Sequence, residues 1–217
     1  MTLERIYADI LAIRVIPNVD SALAKQFELE PHHRSLAIFT STIDDVAYTA
    51  LDEATKRADV EVVYARSFYA GAAHASGPLS GEFIGILAGP SPDEVKSAIE
   101  AVQITVQNDA FFEALNQDAS HAIYAHVVSR TGSYLSKEAG INIGEPLAYL
   151  IAPPLEAMYG LDAALKAADV HLVKFFGPPS ETNFGGGLLT GSQSACQAAA
   201  DAFRQSILEI ARNPTHF

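Results

Sequence analysis

The sequence predicts an α/β fold of the α+β kind, built twice over, each copy a small, mostly antiparallel sheet with helices flanking it. Three observations carry this reading. "LDEATKRADVEVV" (Leu51 to Val63) lies over "LDAALKAADVHLV" (Leu161 to Val173) at a constant offset of 110, with eight identities in thirteen positions. The flanking segments follow: "SALAKQF" resembles "SYLSKEA", "SLAIFTS" resembles "PLAYLIA", and "GEFIGILAGPSPDEVKSAIEAV" resembles "NFGGGLLTGSQSACQAAADAF". Finally, short apolar, β-branched or aromatic runs bounded by turn residues alternate with helical stripes in both copies.

Taken in order, Arg34 to Ser41, Asp59 to Phe68 and Gly81 to Leu87 read as strands of the first copy. A helix follows Gly89. Ser91 is its N-cap, Pro92 its first helical residue, and Glu94 completes a capping box. Val95, Ile99, Val102 and Val106 then form its buried stripe. "VQNDAFFEALNQDASH" turns polar, which places a boundary near Asn108 and two domains at 1–108 and 109–217. In the second copy the loop before the last strand is eight residues shorter, because the offset falls from 110 to 102. The closing helix carries Cys196, Ala200, Phe203, Ile207 and Ile210 on one stripe, so the single cysteine reads as a packed core thiol.

Composition excludes several classes of function. With 49% hydrophobic and 18% charged residues the chain is a compact globular protein and not a disordered one. A net charge of −12 argues against nucleic acid, whose affinity is built from Lys and Arg. No apolar run approaches the roughly 18 residues of a membrane span. "MTLERIYADILAIRV" has no basic region ahead of an apolar run, so no secretory signal is read and a soluble, cytosolic chain is expected.

Motifs for catalysis are scarce. The glycines of "SETNFGGGLLTGS" (Ser180 to Ser192) align with a strand of the first copy, give G-x-G-x-x-x-G, and lack a following Lys-Ser or Lys-Thr. They therefore mark close backbone approach or a bend rather than a phosphate cradle. "GPLSG" is not a nucleophile elbow, and neither H-E-x-x-H nor C-x-x-C occurs. His32 and His33, adjacent, and His121 and His126, five apart, share no face of a helix or strand, so each is expected to be solvated or locally hydrogen-bonded. Asp44 and Asp45 stand between a strand and a helix, where they would cap a helix starting near Val46. With Glu82, at the mouth of a strand, they also form a carboxylate set suited to an organic ammonium ion, a divalent cation, or an acid and base pair.

At these residues a resemblance enters. "DDVAYTALDEATKRADVEVVYARSFYAGAAH", "AHVVSRTGSYLSKEAGI" and "PPSETNFGGGLLTGSQSAC" resemble the L-type ethanolamine-utilization shell proteins of bacterial microcompartments, nearly end to end. The resemblance implies two tandem, duplicated, circularly permuted microcompartment domains and a homotrimer that forms a pseudohexameric tile. That tile would sit in a cytoplasmic microcompartment shell beside other shell proteins. It implies a gated central pore, a small pore in each subunit that binds ethanolamine, no cofactor and no enzymatic activity. Carried over, Asp44, Asp45 and Glu82 surround the ligand and Phe112 contributes through its backbone. Thr182, Asn183 and Phe184 close the site. "FYAGAAHASGPLSG" and "FFGPPSETNFGGG" would be the central-pore loops. Lys25, Lys137 and Arg34 read as solvated charges or edge contacts. Two other readings stand beside this one: a metal-assisted enzyme using the acidic trio, and a soluble trimeric sensor that binds a small molecule without tiling.

Overall fold

The repeat seen in the sequence is a repeat of topology. In the computed structural model, which describes residues 4–68 and 77–215, β2 (Ile10–Ile16), β3 (Ser35–Ser41), β4 (Glu61–Ser67) and β5 (Phe83–Gly89) form a four-stranded sheet in the order β2-β3-β5-β4. A six-stranded sheet holds β7 (Ala122–Val128), β8 (Leu147–Ala152), β9 (Val170–Phe176) and β10 (Gly185–Gly191) in the matching order β7-β8-β10-β9. It is extended beyond β7 by β6 (Phe112–Ala114) and β1 (Glu4–Ile6). Each strand pairing is antiparallel.

The helices repeat in the same way. α1 (Ser21–Gln26), α2 (Asp44–Thr55) and α3 (Pro92–Ile104) belong to the first copy, and α4 (Ser133–Ala139), α5 (Pro154–Ala167) and α6 (Gln193–Arg212) to the second. The chain divides into two compact units, one of Tyr7–Ala110 with Gly132–Leu135, the other of Met1–Ile6, Phe111–Thr131 and Ser136–Phe217.

Local signals explain the element ends. Ser91 in extended conformation accepts the Glu94 N–H, and Pro92 occupies the first turn of α3. Only half of the expected capping box forms, because the Glu94 carboxylate turns outward and accepts the Asp59 N–H at 2.8 Å. Val95, Ile99, Val102 and Val106 are buried as their spacing requires, the last in a π-turn at Thr105–Asp109 that prolongs α3. β5 begins two residues later than its apolar run, since its pairing with β3 starts at Phe83 opposite Ser41.

In the second unit α5 and α6 cover one face of the sheet. Phe203, Ile207 and Cys196 pack with Leu161, Leu150 and Leu189. Burial pushes the Cys196 thiol up, and its Sγ lies 3.8 Å from the Leu189 carbonyl, as an inert core residue. Ile210, last of the stripe, is half-buried.

Candidate functional site

The acidic trio is assembled where β3 ends and β5 begins. Those strands are antiparallel neighbours, so Asp44 and Asp45, just past the end of β3, come to the same sheet end as Glu82, just before β5. α2 starts at Asp44 and not near Val46. Its N-cap, Ile43, supplies no side-chain bond, while the Asp44 carboxylate accepts the Asp45 N–H at 2.9 Å. Both acids are buried in the first turn, where the helix dipole favours negative charge.

Glu82 is held by its backbone, its N–H donating to Ser41 O at 2.9 Å and its carbonyl accepting the Phe68 N–H at 3.0 Å. The preceding Gly81 has φ +61°, and a Cβ there would stand 2.2 Å from the Ser41 carbonyl oxygen. Only glycine fits this turn. Gly81→Ala is expected to cost about 2–3 kcal/mol through left-handed strain and the backbone clash. Gly77→Ala, which meets nothing within 4 Å, is the control in thermal unfolding.

Electrostatics tie the group together. Burial and then the Asp44 charge push the Glu82 carboxyl above its ordinary range. One turn along α2, Tyr48 hydrogen-bonds through its hydroxyl to Ser67 Oγ at 2.7 Å. Burial, with the Asp44 and Asp45 charges adding to it, pushes its phenol up to about 12. Its ring meets Phe83 edge-on at 4.8 Å. Sequence reasoning missed Tyr48, although its position four residues after Asp44 on the same helix was the available signal. Among the described residues, no group of three or more His, Cys, Asp or Glu side chains is placed to hold a metal ion.

The second unit brings the remaining candidates together. Phe112 opens β6 opposite Ile6, buried, with its ring 5.1 Å from Tyr124 and edge-on to Phe184 at 6.0 Å. Thr182, Asn183 and Phe184 form a tight turn before β10. Ser180 N–H donates to Phe184 O at 3.1 Å and Asn183 N–H to Ser180 O at 3.1 Å. Asn183 has φ +65°, a conformation asparagine tolerates. It occupies the repeat position of Gly81 and is followed by Phe184 where Gly81 is followed by Glu82, so both copies place a left-handed residue before the strand while the hydrogen bonds around it and the next side chain differ. Residues 69–76 of the first expected pore loop lie outside the described residues.

The histidines depart in part from expectation. His32 and His33 sit in a turn, which brings their rings to 4.1 Å. His33 is buried with no hydrogen-bond partner on Nδ1, 3.9 Å from Glu61, and burial followed by the neighbouring His32 pushes its pKa down. His121 Nε2 lies 2.9 Å from Glu156 Oε1, an ion-pair distance without hydrogen-bond alignment.

Residues 35–117 match the family model described as the BMC domain. The bacterial microcompartment shell protein EutL of Clostridium perfringens (strain 13 / Type A) is 60% identical over 214 residues, covering 99% of both chains. EutL of Salmonella typhimurium (strain LT2) is 53% identical, covering 98% of this chain and 97% of the relative. The crystal structure of ethanolamine utilization protein EutL from Leptotrichia buccalis C-1013-b superposes with a TM-score of 0.96 at 61% identity, covering 100% of both chains. These relatives are named as shell or utilization proteins and not as catalysts. With its duplicated antiparallel sheets and this near-complete coverage, the chain belongs to the EutL family of bacterial microcompartment shell proteins, built on tandem BMC domains.

Proposed function

We propose that the chain is a structural tile of an ethanolamine-utilization microcompartment shell, three copies closing into a pseudohexamer with a gated central pore, and that each copy binds ethanolamine. The supporting observation is the buried Asp44 and Asp45 pair at the start of α2, with Asp44 acting on the Glu82 carboxyl. A protonated amine supplies the positive charge and donors that this cluster lacks among its own three members. Asp44, Asp45 and Glu82 hold the ammonium group; Phe112, Thr182, Asn183 and Phe184 are the further ligand contacts of this proposal, Thr182 toward the hydroxyl. A duplicated chain suits a pseudohexamer, since three chains bring six copies of the repeat. If ligand and pore closure are coupled, closure must tighten ethanolamine binding by the same factor.

Calorimetric titration with ethanolamine tests the site. Glu82→Gln removes one charge-assisted hydrogen bond, about 1.5–3 kcal/mol, and so weakens binding roughly ten- to hundredfold. Unchanged affinity in Glu82→Gln and in Asp44→Asn would sink the site. The pH dependence has a definite sign. The free protein holds the Glu82 proton to a higher pH than an ordinary glutamate, and the ammonium ion favours the ionised form. Affinity therefore rises as pH increases through the raised Glu82 range and levels off above it. Electron microscopy of the protein concentrated with a partner shell protein tests tiling: ordered hexagonal layers are expected, and discrete particles that never order would favour the non-tiling sensor.

A further inference from the structure

We infer that Tyr48 is a positioning residue of the acidic trio: from α2 it grips both strands that fix Glu82 and so sets the gap between that carboxylate and the Asp44 and Asp45 pair. The inference deepens the reading of the trio as an ammonium site and rests on it.

The trio has a mechanical problem before it has a ligand. Two of its members stand on the first turn of α2 and the third at the mouth of β5, and carboxylates held at close quarters repel one another. The backbone of Glu82 is pinned between Ser41 at the end of β3 and Phe68 just past β4. Neither of those bonds reaches α2, where the opposing charges sit. A further contact must hold the helix turn to the strand ends against the repulsion.

Tyr48 supplies it. Following Asp44 by four residues and Asp45 by three, it lies on their face of the helix. Its hydroxyl reaches Ser67 on β4 and its ring meets Phe83 on β5, and these two residues are register partners. Phe83 directly follows Glu82, while Ser67 directly precedes Phe68, whose N–H bonds the Glu82 carbonyl. One side chain thus touches the neighbours of both groups that matter. Phe83 is 0% exposed and also packs on Phe39, so the surface that Tyr48 leans on is rigid.

The ring is fixed from the helix side as well. Tyr134 stacks on it, with centroids 6.1 Å and planes 14° apart. Tyr134 belongs to the segment Gly132–Leu135, which is part of the same compact unit and is tied to α2 by Asp52, the acceptor of the Gly132 N–H at 2.7 Å and of the Leu135 N–H at 2.8 Å. Filling this corner needs an aromatic ring; bonding the end of β4 needs the hydroxyl. Because its phenol is pushed up to about 12, Tyr48 stays neutral and adds no fourth charge to the cluster. The carboxylates are then held ready for a cation by a side chain that is itself locked by packing and a hydrogen bond.

The test reads Glu82 and the ligand separately, in the full chain. Carbon-13 NMR of the glutamate carboxyls, with Glu82→Gln identifying the signal, follows the Glu82 titration in ligand-free protein. Tyr48→Phe keeps the ring and loses the bond to Ser67, and Ser67→Ala breaks the same bond from the other side. Each should lower the Glu82 midpoint toward that of Asp44→Asn, as the like charges part. Calorimetry with ethanolamine should show binding weakened about three- to tenfold in either variant. Tyr48→Phe added to Glu82→Gln should cost nothing further, the non-additivity of a residue that acts through another. A mere packing defect would weaken binding equally in both backgrounds. An unmoved midpoint in both variants, an unchanged affinity or an additive loss overturns the positioning role and leaves the ammonium site standing. Wild-type protein that binds no ethanolamine while Tyr48→Phe still lowers the midpoint overturns the ligand reading and leaves the hold on Glu82; no binding and no movement overturns both.

Discussion

Gly186→Ala is expected to produce the largest loss of stability of any methyl added to a glycine among the described residues, at least about 3 kcal/mol. Gly186 sits in β10 with φ +151°, and a Cβ there would lie 1.9 Å from the Leu150 carbonyl oxygen of β8. Neither atom can retreat cheaply, because Gly186 is in register with Ile151 on one side and Phe176 on the other. The added methyl must part β10 from β8 or force a new backbone conformation in the middle of the sheet. Denaturant unfolding monitored by circular dichroism should show a lower midpoint at unchanged slope, the sign of lost stability without a change in the surface exposed. Stability equal to wild type would mean that the strand is not held as described.

Asp52→Ala is expected to cost about 2–4 kcal/mol, since it strands the N–H groups of Gly132 and Leu135 beneath α2 and each buried orphan costs about 1–3 kcal/mol. Lys56, with its Nζ 3.7 Å from the carboxylate, would lose its buried partner too. The loss should depend on pH. Burial raises the Asp52 carboxyl above its ordinary range, and the two N–H donors and Lys56 only partly oppose this. A carboxyl with a raised folded value favours folding most below its unfolded pKa, and that contribution is lost as pH rises through the folded value. The gap between wild type and Asp52→Ala is therefore widest in acid and narrows toward neutrality. A gap that widened with pH would show that the ionised form is the one the fold prefers.

These two positions also mark what was legible in the sequence. The glycine run was readable as strand because its repeat partner is an apolar strand, and the helical stripes of α3 and α6 were readable from their period. The matching strand orders follow from the same repeat. Asp52 was not legible. Its local pattern is that of a solvated carboxylate four residues before a lysine, and its partners lie about eighty positions away. β1 is three residues long and gains its place only by pairing with β6, so it has no period of its own. At the acidic trio, pattern alone left capping, metal and ammonium readings open. The sheet end at which β3 and β5 meet explains how Asp44 and Glu82, 38 positions apart in the chain, come to act on one another. Tyr48 went unremarked because a tyrosine beside two aspartates on a helix has no chemistry until burial supplies it.

The paired turns at Gly81 and Asn183 imply a form of inheritance in which geometry is kept and content is exchanged. Duplication copied a left-handed step ahead of the returning strand, and each copy then met that demand with its own residue, glycine in one and asparagine in the other. The position that follows was released from the folding problem, since the step before it already fixes where its backbone goes. It became glutamate in one copy and phenylalanine in the other while the strand that follows kept its place in the sheet. Such a position behaves as a socket, and the same freedom makes it the natural place to write a new preference into either half of the chain.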